Sequence, residues 1–160
     1  MNPAAAGGRS CCFTGHRIIA RDVREPLRNS LREVIGVLYE EGFRRFYAGG
    51  ALGFDTLAAL KVLDKKKKYP HIRLELILPC RDQARTWQER NVQVYRYILE
   101  RADRVSYVTD TYTPTCMHER NRRLVDGSAV CVAYCTNAEG GTAYTRRYAE
   151  KNGVEVVEIL

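Results

Sequence analysis

Apolar residues in this chain switch between two periods, and that switching constrains the fold more than any other feature. Short apolar runs bounded by turn residues lie at Ser10–Thr14, Arg44–Ala48, Ile72–Leu78, Arg104–Val108, Ala129–Tyr134 and Val154–Leu160. Each has the length and make-up of a buried strand. Between the first two, Leu27, Leu31, Val34, Ile35 and Leu38 recur at i, i+4, i+7, i+8 and i+11, one face of an α-helix. Pro26 suits the first turn of that helix, and Gly42 its C-terminal cap. A second helix is predicted over Phe54–Lys67, burying Phe54, Leu57, Ala58 and Val62. A third carries Trp87, Val94, Tyr95, Ile98 and Leu99. Leu124 and Val125 belong to a shorter fourth, and Thr142–Lys151 forms a fifth, closed by Asn152–Gly153.

Strands separated by helices need crossover connections, which give a mostly parallel sheet covered on both faces. The expected fold is α/β, a Rossmann-like three-layer sandwich with a mostly parallel sheet of about six strands and helices on both faces. Residues 1–9 read as a flexible Ala/Gly-rich tail with no apolar signal-peptide core, and residues 10–160 as one domain of ordinary length.

Composition narrows the function classes. With 45% hydrophobic and 28% charged residues, the chain has globular rather than disordered usage. No apolar run approaches the roughly 18 residues that span a bilayer, so no membrane association is expected. Six cysteines are present, without a CxxC pair. Cys11, Cys12 and Cys131 fall inside apolar runs, where a thiol behaves as a small core hydrophobe. Adjacent Cys11 and Cys12 would point to opposite faces of a strand. Neither a disulfide framework nor a metal site is expected, and the expected setting is a reducing cytoplasm. The net charge is +7, with Arg outnumbering Lys about three to one. Arg's planar fork suits phosphate. A basic balance also describes solvated helix faces such as Lys65–Lys68, so nucleic acid is not the expected partner.

In open parallel sheets ligands bind outside the carboxyl ends of the strands, so the residues after each strand matter most. The first run is followed by Thr14-Gly15-His16-Arg17. Gly15 allows close backbone approach, Thr14 offers a hydroxyl and Arg17 a cation. His16 can donate to a phosphate, act as an acid or base, or cap the loop. The second run is followed by Gly49-Gly50-Ala51-Leu52-Gly53-Phe54-Asp55. Its glycines at a strand-to-helix junction read as a phosphate-approach loop, although the spacing is neither GxGxxG nor a P-loop. Asp55 either caps the helix or accepts from a ribose hydroxyl. After the fifth run, Glu139-Gly140-Gly141-Thr142 opens the last helix. The amides of Gly140–Ala143 and the Thr142 hydroxyl form an anion site where the helix dipole favours negative charge. Two such loops on one sheet edge are the physical case for a phosphate ligand. Arg120 and Asn121 are within reach of the same pocket, whereas Arg122 and Arg123 are expected to face solvent. Trp87 is either core or a stacking platform.

Taken in order, several segments resemble the YpsA branch of the SLOG superfamily of Rossmann-like proteins. They are CCFTGHR at 11–17, GGALGFDTLAA at 49–59, LPCRDQ at 78–83 with Trp87, ILERAD at 98–103, YTPTCMHERNRRLVDGS at 112–128 and GGTAYTRRYA at 140–149. The resemblance implies a fold like that of the LOG phosphoribohydrolases and DprA. It also implies a regulatory or sensory role in bacterial cytoplasm, through binding a nucleotide or nucleotide-derived ligand. LOG enzymes carry GGxGTxxE, whose Glu serves N-glycosidic chemistry. Here Thr145 falls where that Glu would stand, and Leu60 takes a position expected to be acidic in many relatives. The expectation is therefore a binding protein with no required cofactor beyond its nucleotide-type ligand and no assigned catalytic residue. Two alternatives stand beside it. One is a nucleoside-monophosphate phosphoribohydrolase-like N-glycosidase using a loop carboxylate from Asp55, Asp82, Glu119 or Glu139. The other is DprA-like single-stranded nucleic-acid binding, with Trp87 or Tyr112 stacking on bases. A homodimer is the expectation from the prevalence of symmetric dimers.

Overall fold

In the computed structural model, which describes residues 8–160, strand and helix alternate from end to end. The strands are β1 (Arg9–Gly15), β2 (Phe43–Ala48), β3 (Arg73–Cys80), β4 (Arg104–Thr109), β5 (Val130–Tyr134) and β6 (Glu155–Glu158). Between them run the helices α1 (Arg21–Glu40), α2 (Phe54–Lys68), α3 (Glu89–Arg101), α4 (Cys116–Asp126) and α5 (Gly141–Lys151). Most of the expected tail lies outside the described residues, but Arg9, assigned to it from sequence, already opens β1.

All pairings are parallel, in the order β4-β3-β2-β1-β5-β6. The central strands are covered on both faces, which is why Ser10–Thr14 and Val130–Tyr134 are buried without interruption. Such strands read as continuous apolar runs rather than alternating ones. Helices α1, α2 and α3 cover one face and α4 and α5 the other, giving two cores. The larger is built on Phe13, Leu27, Leu31, Ile35, Phe46 and Phe54, and the smaller on Cys12, Leu124, Val125, Cys131 and Ala149. Cys11 belongs to the first core and Cys12 to the second, as the alternation of strand side chains requires. All six thiols are free.

From β1 the chain steps outward through β2 and β3 to β4, then returns to the other side of β1 for β5. The connections leaving β1 and β5 therefore turn to opposite faces. A crevice opens where they part, at the topological switch point.

Two local expectations are corrected. Pro26 lies inside α1, which begins a turn earlier at Arg21. The proline removes one bond to the Asp22 carbonyl, and that exposed turn leaves the carbonyl to water. Trp87 precedes α3, whose N-cap is Gln88, and its half-buried ring packs edge-on against Tyr95 with centroids 5.1 Å apart. Val94 is exposed, and α3 buries only Ile98 fully.

Candidate functional site

The crevice at the switch point has a volume of about 330 Å³. Thr14, Gly15, His16 and Arg17 form its β1 wall, and Gly141 and Thr142 its α5 wall. From α4 come Met117, His118, Arg120 and Asn121, while Ala51 and Asp55 close it from the β2–α2 side. Nine residues singled out from sequence thus meet in one cavity: Thr14, Gly15, His16, Arg17, Asp55, Arg120, Asn121, Gly141 and Thr142.

Gly49, Gly50 and Gly53 do not line the crevice. The spaces their side chains would fill are taken by the Arg120 guanidinium, by Leu78 and by the Arg17 backbone respectively. Gly50 and Gly53 also hold positive φ, 74° and 77°, so this junction is a packed turn of the protein itself. Gly15 is a related case: a side chain there would run into the Phe54 ring, so packing already explains the glycine. Gly140 holds φ 100° just outside the cavity, with nothing near it.

His16 ties the two walls together. Its Nε2 accepts from the Thr136 amide at 2.8 Å and lies 3.1 Å from the Thr136 hydroxyl, and its ring meets Tyr134 edge-on. Nε2 is therefore engaged within the protein.

Arg120 sits at the back of the crevice, only 4% exposed. Its Nη1 donates to the Gly49 carbonyl, its Nε to Asn121 Oδ1 at 2.7 Å, and its Nη2 lies 3.8 Å from Met117 Sδ. Among the described residues no carboxylate pairs with it directly. Burial pulls its pKa down; the more distant Asp55 charge offsets part of this, and the like charge of Arg17 adds to it. Asp55, 7% exposed, accepts from the Ala51 amide at 3.2 Å and so ties the loop before α2 to the helix's first turn, whereas no side chain caps α2. Burial raises its pKa, against the opposing pull of Arg120, the Ala51 amide and Arg17. The exposed Arg17 reaches across to α4, its Nη2 3.7 Å from Met117 Sδ. The result is a polar crevice with two guanidiniums, one deeply buried, and a single buried carboxylate.

Of the four loop carboxylates, only Asp55 lines the crevice. Asp82 accepts from the Tyr112 amide, and Glu119 pairs with Arg123 on the outer side of α4. Thr145, standing where a LOG-type Glu would fall, is buried and returns its hydroxyl to the Gly141 carbonyl at 2.8 Å. Arg122 is half-buried rather than fully solvated, its Nη1 3.4 Å from the Tyr144 hydroxyl. Four lining residues, Phe13, Ala51, Met117 and His118, were not among those singled out. Met117 was legible through helix periodicity, since Met117, Arg120, Asn121 and Leu124 follow i, i+3, i+4 and i+7.

A profile of the YpsA family, described as the YspA SLOG family, matches residues 19–157. The SPbeta prophage-derived protein YoqJ of Bacillus subtilis is 31% identical over 138 residues, which cover 78% of this chain and 81% of that protein. A UPF0398 protein of Halalkalibacterium halodurans is 32% identical over 128 residues, covering 78% of this chain and 68% of its own. Among solved structures, DNA processing protein A of Helicobacter pylori, described in a single-stranded DNA binding mode, superposes with a TM-score of 0.70 at 18% identity. It matches 99% of this chain and 68% of its own. DprA of Streptococcus pneumoniae gives 0.69 at 13% identity, over 94% of this chain and 50% of that one. At such identities these two structures speak to the fold.

Proposed function

The chain belongs to the YspA SLOG family, and from that premise we propose that it binds a phosphate-bearing nucleotide or nucleotide-derived ligand in the switch-point crevice, as a regulatory or sensory protein of the cytoplasm. One observation carries the reading: Arg120 is a nearly fully buried cation to which, among the described residues, no carboxylate is directly paired, Asp55 acting only from farther off. A buried charge is costly unless it is neutralised, and a phosphate beside Arg120 and Arg17 would supply that. The open N-terminus of α5 across the crevice favours the same charge. A volume of about 330 Å³ suits a small phosphorylated ligand.

A second reading, single-stranded nucleic acid, has the DprA likeness and the net charge of +7 in its favour. Against it, Trp87 lies on Tyr95 outside the crevice, and aromatic platforms are what single-strand sites use. Calorimetric titration of the purified chain with AMP, adenosine and an oligodeoxynucleotide separates the readings. AMP should bind, adenosine should not, and the oligonucleotide should remain in the micromolar, strongly salt-dependent range of non-specific contacts. Equal binding of adenosine and AMP would remove the phosphate from the account. Tight oligonucleotide binding at moderate salt would make the second reading the better one.

A further inference from the structure

Arg17 and Arg120 enter the crevice from different elements, the loop after β1 and helix α4, yet their Nη2 atoms converge on a single atom. That atom is Met117 Sδ, 3.7 Å from Arg17 and 3.8 Å from Arg120. A thioether sulfur is a weak acceptor. Two guanidiniums turned onto one mark a position that a stronger acceptor would fill, between the two cations where a bound phosphate would bridge them. Met117 is half-buried in the first turn of α4 and lines the crevice, so a small oxidant can reach it.

We propose, resting on the phosphate reading of this crevice, that Met117 is an oxidation site that closes it: the sulfoxide oxygen takes Arg17 and Arg120 in place of the ligand's phosphate. The oxidant is a peroxide. A sulfur lone pair attacks one peroxide oxygen, the S–O bond forms and the O–O bond breaks. The departing hydroxide takes the proton from the transferred oxygen and leaves as water. Sulfur is oxidised by two electrons and the peroxide is reduced by two. The product is polar and a far better acceptor than the thioether. The unbranched methionine side chain can turn that oxygen onto both guanidiniums without moving the backbone. The change is reversible by methionine sulfoxide reductases, so it can act as a switch.

The sequence makes the test clean, because the only methionines are Met1 and Met117. Five of the six cysteines are buried and only Cys135 is half-buried, so Cys135→Ser supplies the background. Full-length protein is treated with hydrogen peroxide, then with dithiothreitol to reverse thiol oxidation, and Met117 occupancy is read by peptide mass mapping. AMP and inorganic phosphate are titrated before and after. Oxidation of Met117 should weaken both about tenfold or more, with recovery after reductase treatment. Met117→Leu, whatever its own affinity, should show no change on peroxide treatment. Met117→Gln, which puts an amide oxygen near the sulfoxide position, should weaken binding with no oxidant at all and guards against oxidative unfolding. Full oxidation of Met117 with unchanged affinity overturns this inference and leaves the phosphate reading intact. No binding by the untreated protein overturns the phosphate reading, and this inference with it.

Discussion

Between β2 and α2 the missing side chain of Gly50 makes room for Leu78, which would stand 2.2 Å from a Cβ there. Between β5 and α5, a Cβ at Gly140 or Gly141 would find nothing within 4 Å. The two junctions look alike as sequence, each a glycine cluster leading from a strand into a helix. Their helix ends differ as well. The first turn of α2 holds Asp55, whose carboxylate accepts from the Ala51 amide, so the protein's own anion sits at that end. The first turn of α5 holds no acidic residue. A glycine cluster therefore marks a close approach to the backbone but not what approaches; at the first junction it is the chain itself.

The largest effect should come from putting a side chain into the closed junction. A Cβ at Gly53 would lie 2.2 Å from the Arg17 carbonyl oxygen, a backbone atom that cannot swing aside, at a φ of 77°. Gly53→Ala should cost about 3 kcal/mol or more in urea unfolding. Gly140→Ala should cost about 1–3 kcal/mol, from its backbone conformation alone, with no clash to add. Equal costs for the two would mean that the junctions are not different in kind.

The open junction responds in the other measure. Gly141 has no positive φ and no neighbour for its Cβ, so Gly141→Val should leave unfolding by urea within ~0.5 kcal/mol of wild type. It should nevertheless obstruct a phosphate at the α5 amides. Thermal stabilisation by AMP should disappear, a loss of roughly 2.7 kcal/mol for a ligand at about 100 times its dissociation constant. Undiminished stabilisation of a folded Gly141→Val protein would move the phosphate elsewhere.

How much of this was legible beforehand depends on which force sets each feature. The sheet was readable because Ser10–Thr14 and Ala129–Tyr134 are apolar runs with helix-period segments between them, and hydrophobic burial writes directly into sequence period. The crevice was readable as a location, since the β1 and β5 loops must part at the switch point. Occupancy of the glycine loop was not. Leu78 filling the space beside Gly50 is a contact between distant segments, which no local pattern announces. Trp87 was misplaced because an aromatic near a helix start fits either the helix face or the turn before it. His16 could be read as donor, acid or cap, and only the Thr136 amide 2.8 Å away identifies the acceptor.

Arg120 joins the two junctions, holding the Gly49 carbonyl with one nitrogen while lining the crevice. Arg120→Met keeps much of the volume and removes the charge. If the guanidinium serves a ligand, AMP affinity should fall about tenfold to a hundredfold, the range of a hydrogen bond to a charged group. Stability should fall by about 1–3 kcal/mol, because the Gly49 carbonyl and Asn121 Oδ1 lose their donor. Strong destabilisation with intact AMP binding would instead make Arg120 a strut for the closed junction.

The smallest effect probes the internal anion. Burial raises the Asp55 pKa above its ordinary 3.8, outweighing the pull of Arg120, the Ala51 amide and Arg17. The folded protein therefore holds that proton to higher pH than the unfolded chain does. Its contribution to stability is fully present below 3.8 and is lost as pH rises through the raised folded value. Asp55→Asn has no such proton, and its side-chain oxygen can still accept from the Ala51 amide. Across that interval, urea unfolding should shift in the variant's favour as pH rises, by at most ~1.4 kcal/mol per pH unit for one proton. The difference should be flat at higher pH, once both folded and unfolded wild type have ionised. A shift in the opposite direction would mean that the Asp55 carboxylate is held more favourably than water holds it. The α2 end would then welcome an anion as readily as the α5 end, and the contrast between the two junctions would reduce to space alone.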